Sequence, residues 1–310
     1  MARVMMIHND RYNQHHGTQA AHFYYTDFLE DDAVVDALFT AMARWARTRG
    51  LREIMGPLFM GATVGGGVLI QGFEHTAAMT MMPYNHAYYR DQYERIGCRK
   101  RFDLYSLFVD PETFVLPERV ERMAERVRAR GRMKVLQFSR KSELKAMAYR
   151  VADLYNPTLA EHGENYPLTE AELRQLIREL LLIARPDLEK VITYDDEVVG
   201  YLLAFPDLTP ALQRNDGRIT PAGIVRLLRA KKRPARIILN GMGILERYQR
   251  IGGNALIYSE LTRTVRNSPD YDFRMAEMVQ INEHTDLMLS DLRKLGAQPA
   301  KIHRVYGLDC

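Results

Sequence analysis

Apolar residues recur along this chain at two spacings, two residues apart and three to four apart, and the alternation between them sets out the elements. Ala2–Ile7 and Ala20–Phe28 read as strands around a turn at Asn13–Gly17. Asp31 and Asp32 can cap a helix that carries Val34, Leu38, Met42 and Trp45 on one face and stops at Gly50. Leu51–Phe59 is a further strand, and a glycine-rich loop leads to the short apolar run Val68-Leu69-Ile70. Tyr84–Ile96 reads as a helix and Asp103–Val109 as a strand.

Pro117–Arg132 mixes both signs of charge, with Glu118 and Arg122 four apart, and reads as a solvated connecting helix. A strand begins at Val135, and a helix runs from Ser142 through Leu154. Thr169 and Glu172 form a capping box for a helix through Ile183. Val191–Tyr194 and Val198–Phe205 flank Asp195-Asp196-Glu197 as a hairpin. Ile237-Ile238-Leu239 is a buried strand. From about Gly253 a helix places Ile257, Leu261 and Val265 on one face. Phe273–Ile281 is a strand, Met288, Leu292 and Leu295 mark a helix closed by Gly296, and Lys301–Tyr306 is the last strand. The first half repeats the element order of the later part. The expectation is therefore a mixed α/β chain made by duplication: residues 1–116, a connecting helix over 117–131, and residues 132–310.

Composition narrows the classes. At 310 residues the chain suits two domains. A net charge of +4 gives no argument for nucleic acid. Cys98 and Cys310 form neither a disulfide framework nor a metal-binding spacing, so no metal and a reducing, cytoplasmic setting are expected. No apolar run reaches the ~20 residues of a spanning helix. The basic run Arg226, Arg229, Lys231, Lys232, Arg233 and Arg236 reads as solvated, and it also suits a phosphate or a peripheral contact with an anionic membrane. The strand at the very first residues suggests that elements upstream of it are missing.

One stretch carries chemistry more than any other. After Ile237-Ile238-Leu239 comes a turn containing Gln249-Arg250-Ile251-Gly252-Gly253-Asn254, and then a helix. Unpaired N–H groups at a helix start and the helix dipole favour an anion there. The equivalent position in the first half, Leu29-Glu30-Asp31-Asp32, holds three carboxylates that would repel one.

On these residues the chain resembles the GNAT superfamily of acyl-CoA N-acyltransferases. GILERYQRIGGNA sits where that family has its R/Q-x-x-G-x-G/A loop for the CoA pyrophosphate. Gln249 and Gly252 match, and Asn254 departs from the usual Gly or Ala. GPLF, GVLIQGFEH, MPYNHAYY, FDLYSLFVD, VVGYLLAFPDL and KLGAQPAKIHRVY extend the resemblance to bacterial tandem-GNAT proteins of largely unassigned substrate, over nearly the whole chain. Those relatives have further elements at the N-terminus, and some proteins of this type act on lipid amines. The resemblance implies two tandem GNAT-like domains, the first incomplete at its N-terminus and without a CoA loop. It implies acetyl-CoA or a longer acyl-CoA held by Met242, Gly243, Ile244, Gln249, Arg250, Ile251, Gly252, Gly253 and Asn254, and direct acyl transfer to a small-molecule or lipid amine. A non-catalytic acyl-CoA-binding protein is the alternative.

Transfer of that kind needs a base, oxyanion donors and an acid for the thiolate. Period-two alternation sets Glu277 on an apolar face with Phe273, Met275, Val279 and Ile281, where burial should raise its pKa; a structural pair with an arginine is the other reading. Glu283 and His284 follow the strand end. His162 and Glu164, in a polar loop, are weaker candidates for the base. Many members of the family place a tyrosine in the following helix; here Asp286–Leu295 has none, and Tyr306 is the substitute.

Overall fold

The computed structural model describes residues 1–59, 65–77, 82–110, 113–159, 163–216, 218, 220–268 and 275–310. The first half runs β1 (Ala2–His8), α1 (Asp10–His16), β2 (Ala20–Phe28), α2 (Asp32–Arg47), β3 (Glu53–Gly56), β4 (Val68–Gln71), α3 (Tyr88–Arg95) and β5 (Arg99–Val109). After α4 (Glu118–Arg130), the second half runs β6 (Met133–Leu136), α5 (Lys141–Leu159), α6 (Glu170–Ile183), β7 (Lys190–Tyr194) and β8 (Glu197–Pro206). It continues with α7 (Thr209–Gln213), α8 (Pro221–Lys232), β9 (Arg236–Ile244), α9 (Gly253–Asn267), β10 (Met275–Asn282), α10 (Asp286–Lys294) and β11 (Gln298–Asp309).

Two stretches differ from what the sequence predicts. Residues 10–16 form a helix where a turn was expected: Asn9 caps it by accepting from the Tyr12 N–H at 3.1 Å, and Gly17 ends it at φ +65°. Seven residues are too few to show a helical period. The segment before β9, read only as a basic run, holds α7 and α8. Thr220 caps α8 through the Gly223 N–H, and Pro221 occupies its first position.

Among the described residues the strands join one eleven-stranded sheet in the order β1-β2-β3-β11-β5-β10-β9-β8-β7-β6, with β4 also paired to β11. The halves interleave. β11, the last strand of the chain, lies antiparallel between β3 and β5 of the first half, and β5 lies antiparallel between β10 and β11. Pairs such as Tyr306↔Gly56 and Ile302↔Tyr105 therefore tie together residues far apart in the two halves of the sequence.

Among the described residues each half contains one parallel pair: β2 with β3 at Ala20–His22, and β9 with β10 at Arg236–Leu239. In each half the pairing stops early, and the first strand of the pair bulges just beyond that point. Tyr25 stands at φ +49° in β2 and Gly241 at φ +121° in β9. This repeated irregularity supports duplication more directly than element order does. One face of the sheet is covered by α2 and α3 in the first half and by α9 and α10 in the second. The other face carries α1, α5 and α6.

Candidate functional site: a fork between two parallel strands and the helix start below it

β9 and β10 pair through Leu239 and Met278 and then part. Both strands bulge at the parting. Leu203 of β8 faces both Asn240 and Gly241, while Ser106 of β5 faces both Val279 and Gln280, the latter at φ +53°. Each bulge bends its strand and raises the local twist, so the two turn away from each other. Among the described residues, the edge of Met242, Gly243 and Ile244 that faces β10 consequently has no strand partner. Met242 and Ile244 pack toward α9. Gly243 faces α5, where a Cβ would lie 2.5 Å from Thr158 Oγ1.

The mouth of this fork is built by both halves. The Gly66 N–H donates to Gln280 Oε1, and Gln280 Nε2 donates to the Gly66 carbonyl, each at 2.8 Å. Gly163, from the loop after α5, abuts the Asn282 side chain. His162, in the same loop, lies outside the described residues, and Glu164 accepts from the Tyr12 hydroxyl of α1.

Below the fork, Gln249 Nε2 donates to the Ile244 carbonyl at 2.9 Å and pins the loop to the end of β9. Arg250 takes φ +62° and Gly252 φ +101°, which turns the chain into α9. Gly252 is the N-cap and supplies no side-chain acceptor. The first N–H of α9 to bond back is that of Leu256, to the Gly252 carbonyl at 3.0 Å, so those of residues 253–255 have no helical acceptor. Arg247 is engaged with Glu197, while Arg250 is exposed and has no ion pair among the described residues. The glycine at 252 also has a packing reason: a Cβ there would stand 2.5 Å from Val127 Cγ2 of α4.

The first half is built differently at the same place. Asp31 Oδ1 accepts from the Ala33 and Val34 N–H groups at 2.9 and 3.2 Å, so a carboxylate already fills the start of α2.

Glu277 lies on β10 one residue before the fork, wholly buried. Its Oε1 accepts from Lys301 Nζ of β11 at 2.6 Å, and Arg236 Nη2 of β9 stands 3.7 Å from Oε2. Arg236 is in turn 3.3 Å from Asp207. Two acids and two bases thus balance inside the protein, and Glu277 Oε2 accepts no hydrogen bond among the described residues. Burial raises the Glu277 pKa, and the Lys301 and Arg236 charges offset part of that rise. The bulge at Gln280 changes the phase of the strand. Val279 stays with Ile238 beside Glu277, but Ile281 packs with Met278 and Leu289 on the opposite face, contrary to strict alternation. Phe273 lies outside the described residues.

The other sequence candidates do not gather around Glu277. Glu283 is tied down in a turn, accepting from the Asp103 N–H at 3.0 Å and Lys100 Nζ at 2.7 Å. His284 is exposed, and its N–H donates to Asn282 Oδ1 at 3.0 Å. Tyr306 is buried in the first-half core beside Tyr93, on the α2–α3 face, and its hydroxyl donates to Glu94 at 3.1 Å. The sequence allowed an arginine partner for Glu277 but did not identify Arg236, Lys301 or Asp207 as members of this cluster. A signal for Lys301 existed: in Lys301-Ile302-His303-Arg304-Val305 it alternates with His303 and Val305, which places a lysine on a buried face.

No protein-family model matches the chain. Among curated proteins, YghO of Escherichia coli K12 is 26% identical over 312 residues, covering 98% of this chain and 77% of that protein. The bacterial ceramide synthase of Caulobacter vibrioides is 26% identical over 295 residues, covering 94% and 75%. Among solved structures, a tandem GNAT protein from the clavulanic acid biosynthesis pathway superposes with a TM-score of 0.51, at 11% identity over 94% of this chain and 76% of that one. The fold is the GNAT fold, in tandem. A GCN5-related N-acetyltransferase from Sphaerobacter thermophilus gives a TM-score of 0.50 at 11% identity, covering 99% of this chain and 76% of that one. In this chain the fork and the loop below it lie in the second half, and among the described residues no group of acidic, histidine and cysteine side chains is arranged to hold a metal.

Proposed function

We propose that the protein is an acyl-CoA-dependent N-acyltransferase whose second half alone binds CoA. The observation that carries this reading is the contrast between the two helix starts: among the described residues the N–H groups of residues 253–255 meet no acceptor, whereas Asp31 closes the same position in the first half. On this reading the loop at Gln249–Asn254 takes the pyrophosphate, and the pantetheine arm lies along the unpartnered edge of Met242–Ile244. The first half shapes the mouth of the fork through Gly66 and its bonds to Gln280.

Glu277 is the proton acceptor in this reading. A buried carboxylate oxygen without a hydrogen bond can take a proton from an ammonium group, which leaves the amine free to attack the thioester carbonyl. Loss of the thiolate needs no enzymic acid, because a thiolate is a good leaving group. This suits the placement of the Tyr306 hydroxyl, which is engaged elsewhere. The similarity to a bacterial ceramide synthase favours a lipid amine as acceptor. A non-catalytic acyl-CoA binder is the second reading, favoured by the complete charge balance around Glu277.

Thiol release separates the two. With acyl-CoAs of graded chain length and a panel of soluble and long-chain amines, amine-dependent release of free CoA is expected, greatest with a long-chain amine. Saturable acyl-CoA binding with no release for any amine would leave only the binder, and no binding of any acyl-CoA would remove both.

A further inference from the structure

The end of α6 and the outer side of α8 present exposed apolar side chains among basic ones. Leu182 is 74% exposed and Leu228 62%, and Ile224 and Val225 are exposed beside them. From Pro221 to Arg233 there are five arginines and lysines and no acidic residue. A cleft of about 530 Å³ opens between the start of α5, the end of α6 and the end of α8. Lys141, Arg185, Lys231 and Lys232 line it, and Asp187, bridged to Arg185 at 3.2 Å, is its acidic member.

Capping explains part of this arrangement. Lys141 and Lys231 donate to the Leu181 and Leu182 carbonyls, where the last carbonyls of α6 need donors. It does not explain why Arg229, Lys232 and Arg233 are exposed around apolar side chains. Among the described residues no carboxylate lies within ion-pair distance of Lys141, Arg226, Arg229, Lys231, Lys232 or Arg233. Burial, together with Lys141 and Arg185 nearby, pushes the Lys231 pKa down to about 8. An anion in the cleft would relieve that repulsion.

We propose that this surface docks on an anionic lipid bilayer, with Leu182, Ile224, Val225 and Leu228 entering the headgroup layer and the surrounding arginines and lysines meeting lipid phosphates. Exposed leucines ringed by cations match the chemistry of such a surface. A symmetric contact with a second copy would set six cations against six. A polyanion without apolar surface would leave the leucines in water. The placement also connects to the fork. Ile183, next to Leu182, packs against Ile238 and Val279, which flank Glu277. Docking here would bring the Glu277 face to the lipid surface, although the inference stands independently of the transferase reading.

Flotation of the full chain with vesicles tests it. Binding is expected to vesicles of phosphatidylcholine mixed with phosphatidylglycerol, to weaken as salt is raised, and to be absent with phosphatidylcholine alone. Leu182→Asp with Leu228→Asp, and separately Arg229→Glu with Lys232→Glu and Arg233→Glu, should each weaken binding by about tenfold or more while the thermal transition is kept. Leu228 and Lys232 line the cleft and Leu182, Arg229 and Arg233 lie outside its lining, but all five are exposed, so the fold should tolerate the changes. Failure of the wild type to float with anionic vesicles, equal binding to neutral ones, or unchanged binding by both variants would overturn the proposal. So would a wild-type dimer that Leu228→Asp dissociates, since that would assign the surface to a second copy.

Discussion

Asn254→Asp is expected to weaken CoA binding by roughly ten- to a hundredfold without lowering the melting temperature. Asn254 is the second residue of α9, and its N–H is among those without a helical acceptor. An aspartate there is isosteric and faces the positive end of the helix dipole, so it should stabilise the helix by about 0.3–1 kcal/mol. The same carboxylate would stand against a pyrophosphate. At separations of a few ångströms near a protein surface, two such charges repel by about 1–4 kcal/mol. The two effects have opposite signs, which is what makes the substitution informative. Asp31 already shows the arrangement in the first half, where a carboxylate satisfies the helix start. Calorimetric titration with CoA beside a thermal melt reads both quantities. Unchanged affinity would remove the loop from the account. A fall in affinity together with a large fall in stability would indicate disrupted packing instead. Gly252 is a poorer position for this test, because its replacement would collide with Val127 whether or not CoA binds there.

Glu277→Gln is expected to lower kcat/KM by about 10²- to 10⁴-fold and to remove a limb of the pH profile. The raised pKa sets the sign. A base must be ionised to act, so the wild-type rate should climb with pH through a value above the ordinary 4.5 of a glutamate. The variant should lack that climb. Stability should move the other way, because a carboxyl whose folded pKa lies above its unfolded value stabilises the fold most below the unfolded pKa and loses that contribution as pH rises through the folded one. Lys301→Met separates the two roles. Removing one partner of a buried pair costs about 3–5 kcal/mol, and it takes away the positive charge that offsets burial, so any surviving activity should show its limb at higher pH. If Glu277→Gln keeps the wild-type rate and profile, the four charges at Asp207, Arg236, Glu277 and Lys301 serve the fold alone.

Much of the fold was legible in local pattern, because strands and helices announce themselves within a few residues. The fork was legible only in part. Gly241 at φ +121° marks a bulge that a glycine in a strand can suggest, whereas Gln280 at φ +53° gives no such cue, and its bulge defeated the alternation that put Ile281 beside Glu277. Strand order was not legible. The insertion of β11 between β3 and β5 depends on pairs such as Tyr306↔Gly56, which no local window contains. The partners of Glu277 were hidden for the same reason, since Lys301 and Arg236 reach it from two other strands. Tyr306 was misleading as a candidate because its sequence neighbourhood cannot show which face of β11 it takes; its hydroxyl is spent on Glu94.

Amide hydrogen exchange with and without CoA tests the central claim most directly. The account predicts that CoA slows exchange at residues 250–256, at the loop and the first turn of α9, and leaves residues 30–34 at the start of α2 unchanged. Protection at residues 30–34, or CoA binding with no protection at 250–256, would contradict it.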